Sequence, residues 1–99
     1  MKELERALKA LANKRRLAIL KYLKSVHQAP VADIAGEINL SFKATSKHLG
    51  ILSACDILEK EQKSSQVFYR LSSIQKPAAK HIFRASYLVS QVNDKHFAR

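Results

Sequence analysis

Between Ser41 and His48 the chain sets two lysines, Lys43 and Lys47, four residues apart, with Thr45 and Ser46 beside them. On an α-helix, residues four apart share a face, so two ammonium groups stand one above the other next to hydroxyls and an imidazole. Such a set makes and breaks no bonds; it binds. Ammonium groups attract phosphate and donate to the O6 and N7 acceptors of guanine. Hydroxyls donate or accept at base edges, and a threonine methyl can touch a thymine methyl. Ser41, Lys43, Thr45, Ser46 and Lys47 are therefore candidates for contact with a nucleic acid. His48 is read first as a packing and hydrogen-bonding residue and second as a base contact. A second basic group, Lys14-Arg15-Arg16, opens a helix. Cations there oppose the helix dipole, and a nearby anion would relieve that cost. Arg15, Arg16 and Arg70 are added as phosphate contacts, and Lys63, Ser64 and Ser65 as contacts to backbone or minor groove.

Positioning those side chains takes a specific set of elements. A first helix over 2–12 has Leu4, Ala7, Leu8 and Leu11 at i, i+3, i+4 and i+7, one apolar stripe. Asn13 is placed to cap a second helix over 14–25, with Leu17, Ile19, Leu20 and Leu23 inward. Residues Val26 to Ala29 read as a connector, and Pro30 as the first residue of a short helix ending at Ile38. Asn39 suits the left-handed stop, and Ser41 caps a fourth helix running to about Cys55. That helix is expected to bury Ala44, His48 or Leu49, Leu52 and Cys55. Ile57–Glu61 and Gln66–Leu71 have strand character and are joined by Gln62-Lys63-Ser64-Ser65, a hairpin with Lys63 and its serine neighbours at the tip. A last helix over 74–93 repeats Ala78, Ile82, Ala85, Val89 and Val92 at alternating four and three spacing, a seam suited to pairing with another helix.

The order helix, turn, helix, hairpin is that of a winged helix-turn-helix, whose second helix enters the DNA major groove. The expected fold class is mainly α (α+β), about five helices with a two-stranded wing, in one domain over 1–99. A domain this small leaves its terminal helices incompletely covered. Helices 2–12 and 74–93 are therefore read as a dimer surface, with Leu4, Leu8, Ile82, Ala85, Val89 and Val92 as its apolar contacts.

Charge agrees with this reading. Eighteen Lys and Arg against eight Asp and Glu give a net +10, a repulsion that an anionic partner relieves. With 46% hydrophobic residues and only two Gly and two Pro, the chain reads as a helical globular domain and not a disordered tail. Neither a secretory leader nor a membrane span is expected, and the single cysteine, Cys55, fits a reducing, cytoplasmic setting. There is no glycine-rich phosphate loop, no Ser-His-Asp set and no clustered carboxylates, so no enzyme is expected.

The chain resembles the ArsR-type winged-helix repressors over nearly its whole length. The resemblance is carried by Leu8 to Leu20 with its Ala-Leu-Ala-like opening, and by Val31-Ala32-Asp33-Ile34-Ala35. It continues through Leu40-Ser41, Thr45-Ser46-Lys47-His48-Leu49-Gly50-Ile51-Leu52, Ile57-Leu58 and Val67-Phe68-Tyr69-Arg70-Leu71. It implies a homodimeric repressor of double-stranded DNA, bound to an imperfect inverted repeat. Metal-sensing members carry paired cysteines in the third helix, and the stretch Val31–Ala35 has none. Others use an Asp-x-His pair and later ligands on the last helices. Here His81 lacks those partners, Val92 and Lys95 stand where later ligands belong, and Asp94-Lys95-His96 holds only half of the pattern. No metal or other cofactor is therefore expected. A redox response through Cys55 and a protein-binding winged helix are the alternatives weighed. Asp56 stands where the family places a glycine after the fourth helix.

Overall fold

The computed structural model describes residues 2–72. The helix expected over 74–93, with Ile82, Ala85, Val89 and Val92, lies outside the described residues. Within them the order is α1 (Lys2–Leu11), α2 (Lys14–Val26), β1 (Gln28–Pro30), α3 (Val31–Ile38), α4 (Phe42–Ala54), β2 (Leu58–Lys63) and β3 (Gln66–Leu71). This is the winged helix-turn-helix.

Local chemistry sets the helix ends. Asn13 Oδ1 accepts from the N–H groups of Arg15 and Arg16, both at 3.0 Å, so two of the unpaired donors at the start of α2 are satisfied. Asn39 sits at φ 55°, ψ 54° and stops α3, while the Leu40 N–H bonds back to the Ala35 carbonyl at 3.0 Å. Ser41 Oγ accepts from the Ala44 N–H at 3.1 Å and starts α4. Asp56 takes the left-handed position after α4, at φ 60°.

The sheet differs from expectation. Gln28 and Ala29, read as part of a connector, form with Pro30 a strand that pairs antiparallel with Phe68–Arg70, giving a three-stranded sheet in the order β1-β3-β2. Pro30 closes β1 at φ −77°, ψ 162° and precedes α3 instead of opening it. Three residues are too few to show a period-two pattern, and the strand exists because β3 supplies its partner. The hairpin is also tighter than read: β2 runs to Lys63, pairing with Gln66, and only Ser64 and Ser65 turn. Ser64 holds φ 55° there without glycine.

Ile19, Leu23, Ile34, Leu49, Leu52 and Ile57 form the fully buried centre, contributed by α2, α3, α4 and the approach to β2. Leu4, Leu17 and Tyr22 pack on its margin. In α1 the inward residues are Ala7, Ala10 and Leu11, while Leu8 remains 48% exposed.

Candidate nucleic-acid interface

Helix α4 has two contrasting faces. Thr45, Leu49 and Leu52 point into the core. Lys43 and Lys47, one turn apart, are exposed on the opposite side, with Ser46 half-buried beside them. Ser41 is exposed at the helix start, its oxygen engaged as the cap and its hydroxyl proton left to donate outward. The structure thus gathers Ser41, Lys43, Ser46 and Lys47 on one surface.

Thr45 does not belong to it. Its relative exposure is 0%, and its hydroxyl has no hydrogen-bond partner. The expectation of a base contact there is corrected: four residues before Leu49, Thr45 falls on the same inward face. The inward set expected for α4 also shifts, since Ala44, His48 and Cys55 are only half-buried. Phe42, which the motif reading passes over, is 61% exposed. Placing it directly after the Ser41 cap, on the first turn of the helix, would have been enough to flag it.

Arg16, half-buried, is engaged within the protein. Its Nε donates to the Ala10 carbonyl at 2.5 Å and one terminal nitrogen to the Lys9 carbonyl at 3.4 Å. The other meets His48 Nδ1 at 3.2 Å. The guanidinium therefore ties the end of α1 to α2 and α4 through three of its five N–H donors. Because guanidinium nitrogens only donate, His48 Nδ1 accepts, and the proton of the neutral ring sits on Nε2. Burial, then the positive charges of Arg16, Arg15 and Lys47, hold His48 below the ordinary histidine pKa. Arg15 itself is exposed.

Arg70 also has partners within the protein. It lies across β2, with Nη1 3.0 Å from Glu61 Oε1 and Nε 3.2 Å from Glu59 Oε1. Two carboxylates of β2 answer its charge and tie β3 to β2 within the wing. Lys63 Nζ rests 5.1 Å from the centroid of the Phe68 ring, and Ser64 and Ser65 form the exposed tip.

Cys55 is half-buried at the edge of an open cavity of about 290 Å³ lined by Arg6, Lys9, Ala10, Arg16, Ile51 and Ala54. Its Sγ lies 3.8 Å from the Arg6 carbonyl. Among the described residues no three of His, Cys, Asp or Glu come together as a metal site, and no helix is long and apolar enough to cross a membrane.

Residues 13–60 match the model for bacterial regulatory proteins of the arsR family. The transcriptional activator HlyU of Vibrio cholerae is 34% identical over 80 residues, covering 81% of this chain and 73% of that protein. A homodimeric winged helix-turn-helix DNA-binding domain from Mycobacterium bovis, described as a possible ArsR-family transcriptional regulator, superposes with a TM-score of 0.75. It is 29% identical, covering 97% of this chain and 82% of the other. The transcriptional repressor BigR of Xylella fastidiosa superposes with a TM-score of 0.72 at 26% identity, covering 94% and 88%.

Proposed function

Because this chain belongs to the arsR family of bacterial regulatory proteins, which are transcriptional regulators and not enzymes, we propose that it binds double-stranded DNA as a homodimer and represses transcription from an inverted-repeat operator. Helix α4 lies in the major groove, and the Ser64-Ser65 tip with Lys63 reaches the adjacent backbone or minor groove. One observation carries this reading: Lys43 and Lys47 are exposed together on the outward face of α4, directly opposite its core residues. Lysines there supply affinity through phosphate and counterion release, while Ser46 and the lysine donors reach base edges.

The dimer is proposed on two grounds. The relative from Mycobacterium bovis is homodimeric, and Leu8, on α1, leaves apolar surface uncovered. Leu4 and Leu8 are placed in that interface together with Ile82, Ala85, Val89 and Val92. Two-fold pairing sets the recognition helices roughly 34 Å apart, one turn of the duplex. Repression by occupancy of a promoter is the output assigned, as in BigR, which is named a repressor.

The test is selection of genomic fragments by the pure protein, followed by titration on the enriched site. Lys47→Ala should weaken binding by more than about 1 kcal/mol and lower the salt slope. Unchanged affinity with an unchanged slope removes Lys47 from the interface. A strictly monomeric protein that ignores every duplex at low ionic strength overturns the whole reading. On a reporter driven by the selected promoter, expression should fall; a rise would assign the activating sign carried by HlyU.

A further inference from the structure

We propose that Phe42 is a specificity-determining residue of this chain, its ring seated against the C5-methyl group of one thymine in each operator half-site. The inference rests on the DNA-binding reading above and adds a base-reading residue of a different chemistry from the lysines and hydroxyls.

The argument begins with position. Phe42 is the first residue of α4, immediately after the Ser41 cap, and the N-terminal part of a recognition helix is the part that meets base edges. Phe42, Ser46 and Gly50 follow one another at four-residue spacing, so they form a row beside the row of Lys43 and Lys47. Ammonium groups on one row can hold phosphate while the neighbouring row faces the bases. That second row is small after Phe42. Ser46 is short, and at Gly50 nothing beyond its chain neighbours and the backbone of its own helix lies within 4 Å of where a Cβ would stand. The ring is therefore the largest side chain of that row.

Exposure adds a second, independent ground. Three large hydrophobic residues are exposed among those described, Leu8 at 48%, Val26 at 39% and Phe42 at 61%. The first two lie on α1 and at the end of α2. Phe42 is the most exposed of the three and the one on α4, on its first turn beside Lys43. It is not among the residues that pack against the core. Isolated exposed hydrophobics are ordinary, but a phenyl ring exposed on the first turn of a helix that meets base edges has a specific use.

Chemistry then selects the target. A phenyl ring offers no hydrogen-bond donor or acceptor, so it reads neither phosphate nor the nitrogen and oxygen atoms of base edges. The apolar feature that the four bases present in the major groove is the thymine C5-methyl. Contact with it removes apolar surface of both partners from water, at about 0.8 kcal/mol for a methyl-sized group, close to fourfold in affinity.

The experiment uses the full chain and the selected operator. Each thymine is replaced in turn by deoxyuridine, symmetrically in both half-sites. This deletes the methyl and leaves the hydrogen-bonding edge intact. Binding is followed by fluorescence anisotropy for the unaltered protein, Phe42→Gln and Phe42→Leu. The unaltered protein should lose roughly tenfold to twentyfold in affinity at one thymine position, about fourfold from each half-site. Phe42→Gln should bind the thymine and deoxyuridine duplexes equally at that position, with an unchanged salt slope, and Phe42→Leu should retain part of the discrimination. If binding persists and no deoxyuridine position depends on residue 42, the proposal is overturned while the DNA-binding reading stands. If the unaltered protein binds no duplex, both fall together.

Discussion

The Thr45 hydroxyl is fully buried and makes no hydrogen bond. A buried polar atom left unpaired costs about 1–3 kcal/mol. Thr45→Val removes it at nearly constant volume, so urea denaturation should show a gain of about 1 kcal/mol, with operator affinity unchanged. A loss of affinity would return Thr45 to the DNA contact. The two neighbouring arginines separate as cleanly. Arg16→Met deletes the donors that hold the Lys9 and Ala10 carbonyls and His48. It should destabilise the protein by about 1–3 kcal/mol and leave the salt slope intact. Arg15→Ala should do the reverse, keeping stability and lowering the slope by about one unit per protomer. His48 supplies a pH signature. Its folded pKa lies below the ordinary value of 6.5, so above that pH both folded and unfolded chains carry a neutral ring and stability is at its plateau. As pH falls below it, the unfolded chain takes up the proton first, and stability declines until the folded ring also titrates. Thermal melts in this window should show a decline in the unaltered protein that His48→Gln reduces.

Helix α4 owes its placement to contacts at both ends. Ser41 caps its start, and its end is closed by the Asp56 N–H on the Ser53 carbonyl and the Ile57 N–H on the Leu52 carbonyl, each at 3.0 Å. On its flank, the Arg16–His48 contact fixes its rotation against α2 across 32 residues of sequence. The wing is stiffened separately, by Arg70 lying across Glu59 and Glu61 and by the third strand β1. Lys43 and Lys47 are consequently carried on a helix that is anchored at each end and on one side. Their energetic effect on DNA binding should therefore be additive with that of Arg15 on α2, within about 0.3–0.5 kcal/mol, if these side chains do not share a phosphate. A double-mutant cycle of Arg15→Ala with Lys43→Ala, titrated on the operator, measures this, and a larger coupling would place both on one phosphate.

At the level of the molecule, a net charge of +10 on 99 residues accompanies exposed apolar surface at Leu8 on α1. Pairing doubles the charge, so the proposed dimer holds its subunits together against repulsion by apolar contact, and the duplex then neutralises the excess. Self-association should accordingly strengthen with salt while DNA affinity weakens. Sedimentation and anisotropy over one salt series measure both.

Much of this was legible from residue order alone, because its causes are local. Helical periodicity, the Asn13 and Ser41 caps, the left-handed stop at Asn39 and the strand character of the hairpin are set by neighbours a few positions away. So was the basic α4, from Lys43 and Lys47. What folding alone determined was which side chains face outward and which charges already have partners. Thr45 turned inward, Phe42 stayed outside, Arg16 and Arg70 found acceptors on other elements, and Gln28–Pro30 became a strand only because β3 lies beside it. Each of these outcomes depends on packing or pairing with another element, and such contacts leave no local trace in the chain.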